Sequence, residues 1–251
     1  MTTEIVYGLH AVQALLKSSP QQVQELLLLR GRRDQKIQKL IRQAEQNDIA
    51  IRFVDRRTLD DRVGDEGNHQ GAVAICAGRP RIYDERFLQQ LLQELEQVGE
   101  APFLLILDGV TDPHNLGACL RSAEAAGVHA VIAPKDKSAG LTPTARKVAC
   151  GAAEVLPFIT VTNLARTMQQ LQQAGVWIYG AAGEAGQDIY AASLTGAVAL
   201  AMGAEGPGLR RLTREHCDHL VRIPMAGEVS SLNVSVATGV CLFEAVRQRA
   251  G

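Results

Sequence analysis

Three short stretches of this 251-residue chain gather the side chains from which a polar reaction site is built. Asn115-Leu-Gly-Ala-Cys-Leu-Arg121 sets an amide and a guanidinium six residues apart at the start of a helical pattern. Met202-Gly-Ala-Glu-Gly-Pro-Gly208 places one carboxylate, Glu205, among three glycines. Ile223-Pro-Met-Ala-Gly-Glu-Val-Ser-Ser-Leu-Asn-Val-Ser-Val-Ala237 puts Ser231 and Asn233 directly ahead of an apolar helical pattern. Glycines after a strand let backbone approach a ligand with no Cβ in the way. Side-chain oxygens and open N–H groups before a helix suit a polar ligand. Each stretch also has a plainer reading. The glycines make a tight strand-to-helix turn, Ser231 and Asn233 are helix caps, and Arg121 is solvated or paired with Glu124. A cap and a ligand contact are compatible, because an Asn side chain carries both an acceptor and donors. The glycine spacing is not G-x-G-x-x-G, and no acidic residue on a second strand supports a dinucleotide site.

The elements that hold these stretches follow from periodicity. From residue 103 onward short apolar runs alternate with amphipathic ones. The pattern predicts strands at 103–107, 130–133, 155–161, 177–181, 197–202 and 220–223. It predicts helices at 116–126, 143–150, 164–174 and 232–249, with Thr142 and Pro143 opening the second. Such alternation makes a parallel sheet covered on both faces. Residues 1–76 read as a smaller α/β unit, with strands at 25–29, 49–54 and 71–77 and a helix capped by Asp34. Residues 77–83 have linker composition, and 84–251 form the second domain.

Composition narrows the classes. Apolar residues make up 46% and charged residues 21%, and the net charge is −1, so any nucleic-acid surface is a local patch. Between Arg30 and Arg42 six basic residues, Arg30, Arg32, Arg33, Lys36, Lys39 and Arg42, stand against one Asp. This basic helix is either a solvated face or a phosphate-binding one. Aromatics are only 4% of the chain, so phosphate and shape contacts outweigh base stacking in the latter case. Five cysteines lack C-x-x-C spacing and six histidines form no ligand constellation, so neither a metal nor a disulfide framework is expected. No leader pattern or ~18-residue apolar run is present, which predicts a soluble cytoplasmic protein.

The three stretches, in this order and at these separations, resemble the signature motifs of the SpoU family of RNA ribose methyltransferases, within the SPOUT class. Tyr7-Gly-Leu-His10, Asn68-His-Gln-Gly71 and Leu107-Asp-Gly-Val-Thr-Asp-Pro-His-Asn115 resemble its bacterial 23S rRNA guanosine-2′-O-methyltransferase branch. The resemblance implies S-adenosylmethionine as cofactor, a deep trefoil knot in the second domain, a homodimer, and a ribosomal-protein-like RNA-binding first domain. It carries a catalytic role to Asn115, Arg121, Glu205, Ser231 and Asn233. In that role Arg121 binds the target phosphate and stabilises the incipient alkoxide, and Asn115 orients the ribose. Glu205 orders the Asn and Arg side chains or the methionine ammonium, and Ser231 and Asn233 complete the polar wall. Gly203 would lie beside the adenosine, with Ile223, Met225 and Leu232 as the adenine slot. Arg30, Arg32, Arg33 and Lys36 would contact RNA. Two other readings stay open: methylation of a tRNA ribose, and a catalytically silent RNA-binding or ribosome-assembly factor.

Overall fold

The computed structural model describes residues 4–64, 68–76 and 83–251, so most of the expected linker lies outside the described residues. The chain divides into two compact units, Met1–Ile82 with Arg146–Val155, and Tyr83–Ala145 with Leu156–Gly251.

The first unit runs β1 (Glu4–Tyr7), α1 (Leu9–Ser18), β2 (Val23–Leu29), α2 (Gln35–Glu45), β3 (Ala50–Val54), α3 (Arg56–Val63) and β4 (Ala72–Cys76). Its four-stranded sheet has the order β1-β4-β2-β3. β4 is antiparallel to both neighbours, β2 and β3 are parallel, and all five residues of β4 are buried. Val12, Leu16, Ile37 and Leu40 of α1 and α2 cover one face over Leu26 and Leu28. Leu59 of α3 closes the other over Leu27, Val54 and Val73. The sequence reading has no element at β1 or α3. α3 buries only Leu59, so its period is hidden, although Asp55 accepting from Thr58 N–H at 2.8 Å marks its start.

The basic segment needs correction. α2 begins at Gln35, with the Asp34 carboxylate accepting from the N–H groups of Lys36 and Ile37. Arg30, Arg32 and Arg33 therefore lie on the β2–α2 connection rather than on a helix.

The second unit runs α4 (Glu85–Val98), β5 (Phe103–Asp108), α5 (Pro113–Ala125), β6 (Ala130–Pro134), α6 (Pro143–Ala149), α7 (Ala152–Val155), β7 (Phe158–Val161), α8 (Leu164–Gln173), β8 (Trp177–Ala181), β9 (Gln187–Asp188), β10 (Val198–Gly203), α9 (Arg211–Glu215), β11 (His219–Arg222) and α10 (Val234–Ala250). Within that span, residues 146–155, with all of α7, belong to the first unit, where α7 packs on α1. The expected strand at 155–161 starts only at Phe158, because Pro157 has no N–H to give the ladder.

Seven parallel strands in the order β7-β6-β5-β10-β8-β11-β9 make the sheet. β5 and β10 at its centre are apolar almost throughout, as strands covered on both faces must be. α4 and α8 cover one face through Leu88, Leu164, Met168 and Leu171, while α5 and α10 pack on each other and α10 packs on β10. No helix among the described residues is long and apolar enough to cross a membrane, and no three of their His, Cys, Asp or Glu side chains gather as a metal group would require.

Candidate active site

The carboxyl ends of the two central strands carry the site. Gly203, the last residue of β10, pairs in register with Asp108, the last residue of β5. Beyond Gly203 the chain doubles back. Ala204 and Gly208 exchange two backbone hydrogen bonds, at 3.1 and 3.0 Å, so that 204–208 is a closed loop. Only glycine fits at 203, since a Cβ there would lie 2.1 to 2.4 Å from the backbone of Gly208 and Leu209. At the tip Gly206 takes φ 81°, which an L side chain resists.

Beside this loop opens a cleft of about 560 Å³. Its walls are the glycine loop, the turn after β8 (Ala181–Glu184), the end of β11 with Ile223 and Met225, and Ser230–Val234 ahead of α10. The expected cofactor residues Gly203, Ile223, Met225 and Leu232 all line it, as do Glu205, Ser231 and Asn233. Two charged pairs stand at its rim. Arg214 donates to Glu184, holding that carboxyl below its usual range, and Arg222 Nε donates to Asp188 at 2.7 Å.

Asn233 is the junction of the polar wall. α10 starts at Val234 rather than at Leu232 as expected, because Asn233 has non-helical backbone and caps the helix. Its Oδ1 accepts from Ser235 N–H at 2.9 Å and from the Ser235 hydroxyl at 2.6 Å. Those two donors fix the amide orientation, so Nδ2 must face the other way. There it donates to Asn115 Oδ1 at 3.0 Å and to Glu205 Oε1. Three residues from three distant stretches thus share one amide. Asn115, nearly buried in the first turn of α5, has its Oδ1 occupied and presents its NH₂ as donor.

Arg121 is placed differently. It is exposed on α5, six residues and about 9 Å of helix rise beyond Asn115, and it does not line the cleft. Behind the junction, Cys119 is a dry structural thiol, pushed up to about 11 chiefly by burial, against Thr238 of α10. In the first unit Arg30, Arg33 and Lys36 are exposed and Arg32 is half-buried; Arg32 donates to Asp34 and the Gln70 carbonyl, and Arg30 Nη2 donates to the Phe53 carbonyl at 3.3 Å.

Sequence reasoning passed over Asp108 and Arg210. The Asp108 carboxylate is buried and accepts from Arg210 N–H at 2.8 Å. The available signal was an acidic residue ending an otherwise apolar strand, which burial forces to find a partner.

Comparison with known proteins gives a consistent set of relatives. Residues 102–243 match the SpoU rRNA Methylase family, and residues 5–81 match the RNA 2′-O ribose methyltransferase substrate binding domain. The 23S rRNA (guanosine-2′-O-)-methyltransferase RlmB of Escherichia coli K12 is 60% identical over 248 residues, covering 98% of this chain and 99% of that protein. The protein of the same name from Pseudomonas putida is 58% identical over 98% of this chain and 97% of its own. Among solved structures, the SpoU methyltransferase AviRb from Streptomyces viridochromogenes, in complex with the cofactor AdoMet, superimposes with TM-score 0.76. It is 24% identical and covers 99% of this chain and 91% of its own, a likeness of fold. A TrmH/SpoU tRNA modifying enzyme from A. aeolicus reaches TM-score 0.54 at 28% identity, over 65% of this chain and 85% of its own.

Proposed function

The chain belongs to the SpoU rRNA Methylase family, and we propose that it methylates the ribose 2′-hydroxyl of a guanosine in 23S rRNA at the expense of S-adenosylmethionine. The observation that carries this is 60% identity to a 23S rRNA guanosine methyltransferase across nearly the whole of both chains. A tRNA ribose as substrate is less well supported, since the first domain matches a substrate-binding domain and the likeness to the tRNA enzyme covers only 65% of the chain.

The cleft fits the cofactor. Its volume of about 560 Å³ suits a nucleoside joined to an amino acid. The Cβ-free backbone at Gly203 lets the loop approach an adenosine, and Ile223, Met225 and Leu232 give adenine apolar walls. S-adenosylmethionine supplies a methyl group on a sulfonium, a good leaving group. The chain's own work lies with the nucleophile, because a ribose hydroxyl must lose its proton as it attacks. Asn115 Nδ2 is a donor for the ribose, held in place because Asn233 occupies the Oδ1 of the same amide. Glu205, tied to Asn233, fixes the loop that faces the cofactor. Ser231 adds a hydroxyl to the same wall. Fixed groups of this kind act mainly by in-line positioning. A guanidinium is a permanent cation, so the role of Arg121 is to bind the target phosphate and stabilise the growing alkoxide, with phosphate or water taking the proton.

Arg30, Arg33 and Lys36 are the phosphate contacts of the first domain, and Arg32 shapes the loop that presents them. The protein works in the cytoplasm as a homodimer with a knotted second domain. The exposed Val236 and Phe243 on α10 are the apolar surface that a second copy would cover. The test is to incubate unmodified total RNA with the purified protein and radiolabelled S-adenosylmethionine, then separate rRNA from tRNA. Label in 23S rRNA, within an alkali-resistant dinucleotide containing methylguanosine, is expected. Label in tRNA overturns the substrate. Absence of label from both free rRNA and large-subunit assembly intermediates overturns the activity and leaves the silent binding factor.

A further inference from the structure

Asp108 is among the few charged side chains that the second unit buries: the residue is 1% exposed and its side chain 0%. It does not line the cleft, and its hydrogen bond goes to Arg210 rather than to Asn233 or Glu205, so it takes no direct part in methyl transfer. Yet it sits where the cleft is built, side by side with Gly203 at the ends of β5 and β10. Oδ2 accepts from Arg210 N–H at 2.8 Å. Oδ1 has no hydrogen-bond partner and lies 3.5 Å from Arg210 Nε. A buried carboxylate with one oxygen left without a hydrogen bond is costly to keep, and its retention needs a reason beyond packing.

The reason is what Arg210 terminates. After Gly203 the chain runs through the closed loop 204–208 and returns so tightly that Gly208 and Leu209 lie where a Cβ of residue 203 would be. The first residue past that contact is Arg210, and Asp108 grips its backbone. The Arg210 side chain then spreads over the same corner. Nη2 donates to the Lys137 carbonyl at 3.1 Å and lies 3.0 Å from the Cβ position of Gly109, whose φ of 83° turns the chain beneath it. The loop is fastened at both ends, by the β-ladder at Gly203 and by Asp108 at Arg210. Glu205 lies between the two anchors.

We infer that Asp108 is a positioning residue for cofactor binding, acting through the Arg210 backbone N–H to hold the glycine loop against the end of β10. The inference rests on the reading of the cleft as the S-adenosylmethionine site. Removal of the acceptor frees the far end of the loop, so Glu205 and the 204–208 backbone beside Gly203 lose their fixed placement while RNA contacts elsewhere are untouched.

Two measurements on the full-length protein test it. Hydrogen exchange without cofactor should show amides 204–210 exchanging at least tenfold faster in Asp108→Ala, with β6 unchanged. Calorimetry should show S-adenosylmethionine affinity falling at least tenfold in Asp108→Ala but staying within threefold in Asp108→Asn, which keeps an acceptor for Arg210 N–H. KM for RNA should stay within twofold in both. If Asp108→Ala does not fold, Asp108→Asn with Arg210→Pro decides, because proline removes the N–H at a φ of −61° that its ring adopts. Arg210→Pro should speed loop exchange and weaken the cofactor at least threefold while Asp108→Asn does neither. Wild-type loop protection in Asp108→Ala, or in Arg210→Pro where that variant decides, overturns the inference. So does Asp108→Asn as weak as Asp108→Ala. A wild-type protein that binds no S-adenosylmethionine would instead overturn the proposed function, and the exchange data would still decide whether Asp108 fastens the loop.

Discussion

Asn233→Asp separates two tasks that one amide performs. The new carboxylate still caps α10, keeping a contribution of about 1 kcal/mol. It also turns the donor shared by Asn115 and Glu205 into an acceptor, so three oxygens meet with no hydrogen between them. The lost neutral bond to Asn115 is worth about 1 kcal/mol and the charge-assisted one to Glu205 about 2 kcal/mol. Two carboxylates about 4 Å apart add between about 1 kcal/mol in water and about 4 kcal/mol at lower effective dielectric. Glu205 is exposed, so solvent screens the repulsion, which places the total near the lower end, about 4 kcal/mol. That corresponds to a melting shift of roughly 8–16 °C for a chain of this size. Asn233→Ala loses the cap and both donors without the repulsion and falls in a similar range, so the pH response distinguishes them. Repulsion by Glu205 raises the pKa of the introduced carboxyl in the folded state. Its penalty is therefore present at neutral pH and relieved as pH falls through the raised value, an effect Asn233→Ala lacks. Glu205→Gln in the Asn233→Asp background should restore about 1–2 kcal/mol, because the Gln amide can donate to the new carboxylate. The assay is thermal unfolding by circular dichroism at pH 7 and pH 5, as a double-mutant cycle. A coupling below about 0.5 kcal/mol together with no pH response would refute the shared-amide account.

Gly203→Ala should displace the loop through its clash with Gly208 and Leu209 and weaken S-adenosylmethionine at least tenfold by calorimetry. Gly206→Ala, in open space at φ 81°, should cost only about 1 kcal/mol of stability, read by thermal melting. Replacing Arg33 and Lys36 by Ala should lower the slope of log affinity for RNA against log salt by up to about 2, measured by filter binding across a salt series. Arg32→Ala should act mainly on stability, because its guanidinium holds Asp34 and the Gln70 carbonyl. Glu244 is held at about 2, first by the Arg247 guanidinium and then by Gln248. Since its folded value is depressed, its contribution is present above the ordinary value of 4.5 and is lost as pH falls toward 2. Glu244→Gln should flatten the acid limb of the stability curve in that window.

The sequence by itself carried the fold class and named most of the residues that line the candidate site. Parallel strands buried on both faces must be apolar along their length, so β5, β6, β8 and β10 stood out within a residue or two of their observed bounds. Helix caps are local chemistry, so Asp34 was legible at α2. Asn233 was recognised as a cap, yet only the folded backbone moved the start of α10 from Leu232 to Val234. The elements that were missed, β1, α3, α7, β9 and α9, are short or polar, and their apolar residues are too few to set a period. Charge counting grouped Arg32 with its neighbours, because composition cannot tell a free guanidinium from one that also bonds the Gln70 carbonyl and Asp34. Tertiary structure alone decided how the site is assembled. Asn115, Glu205 and Asn233 are 90 and 28 residues apart in succession, and no local rule brings their amides and carboxylate together. The same holds for Asp108 and Arg210, 102 residues apart: an acidic strand end acquires meaning only when the sheet sets it beside Gly203. Local periodicity and caps act over a few residues, whereas contacts like these exist only once β5 and β10 have paired and closed the corner between them.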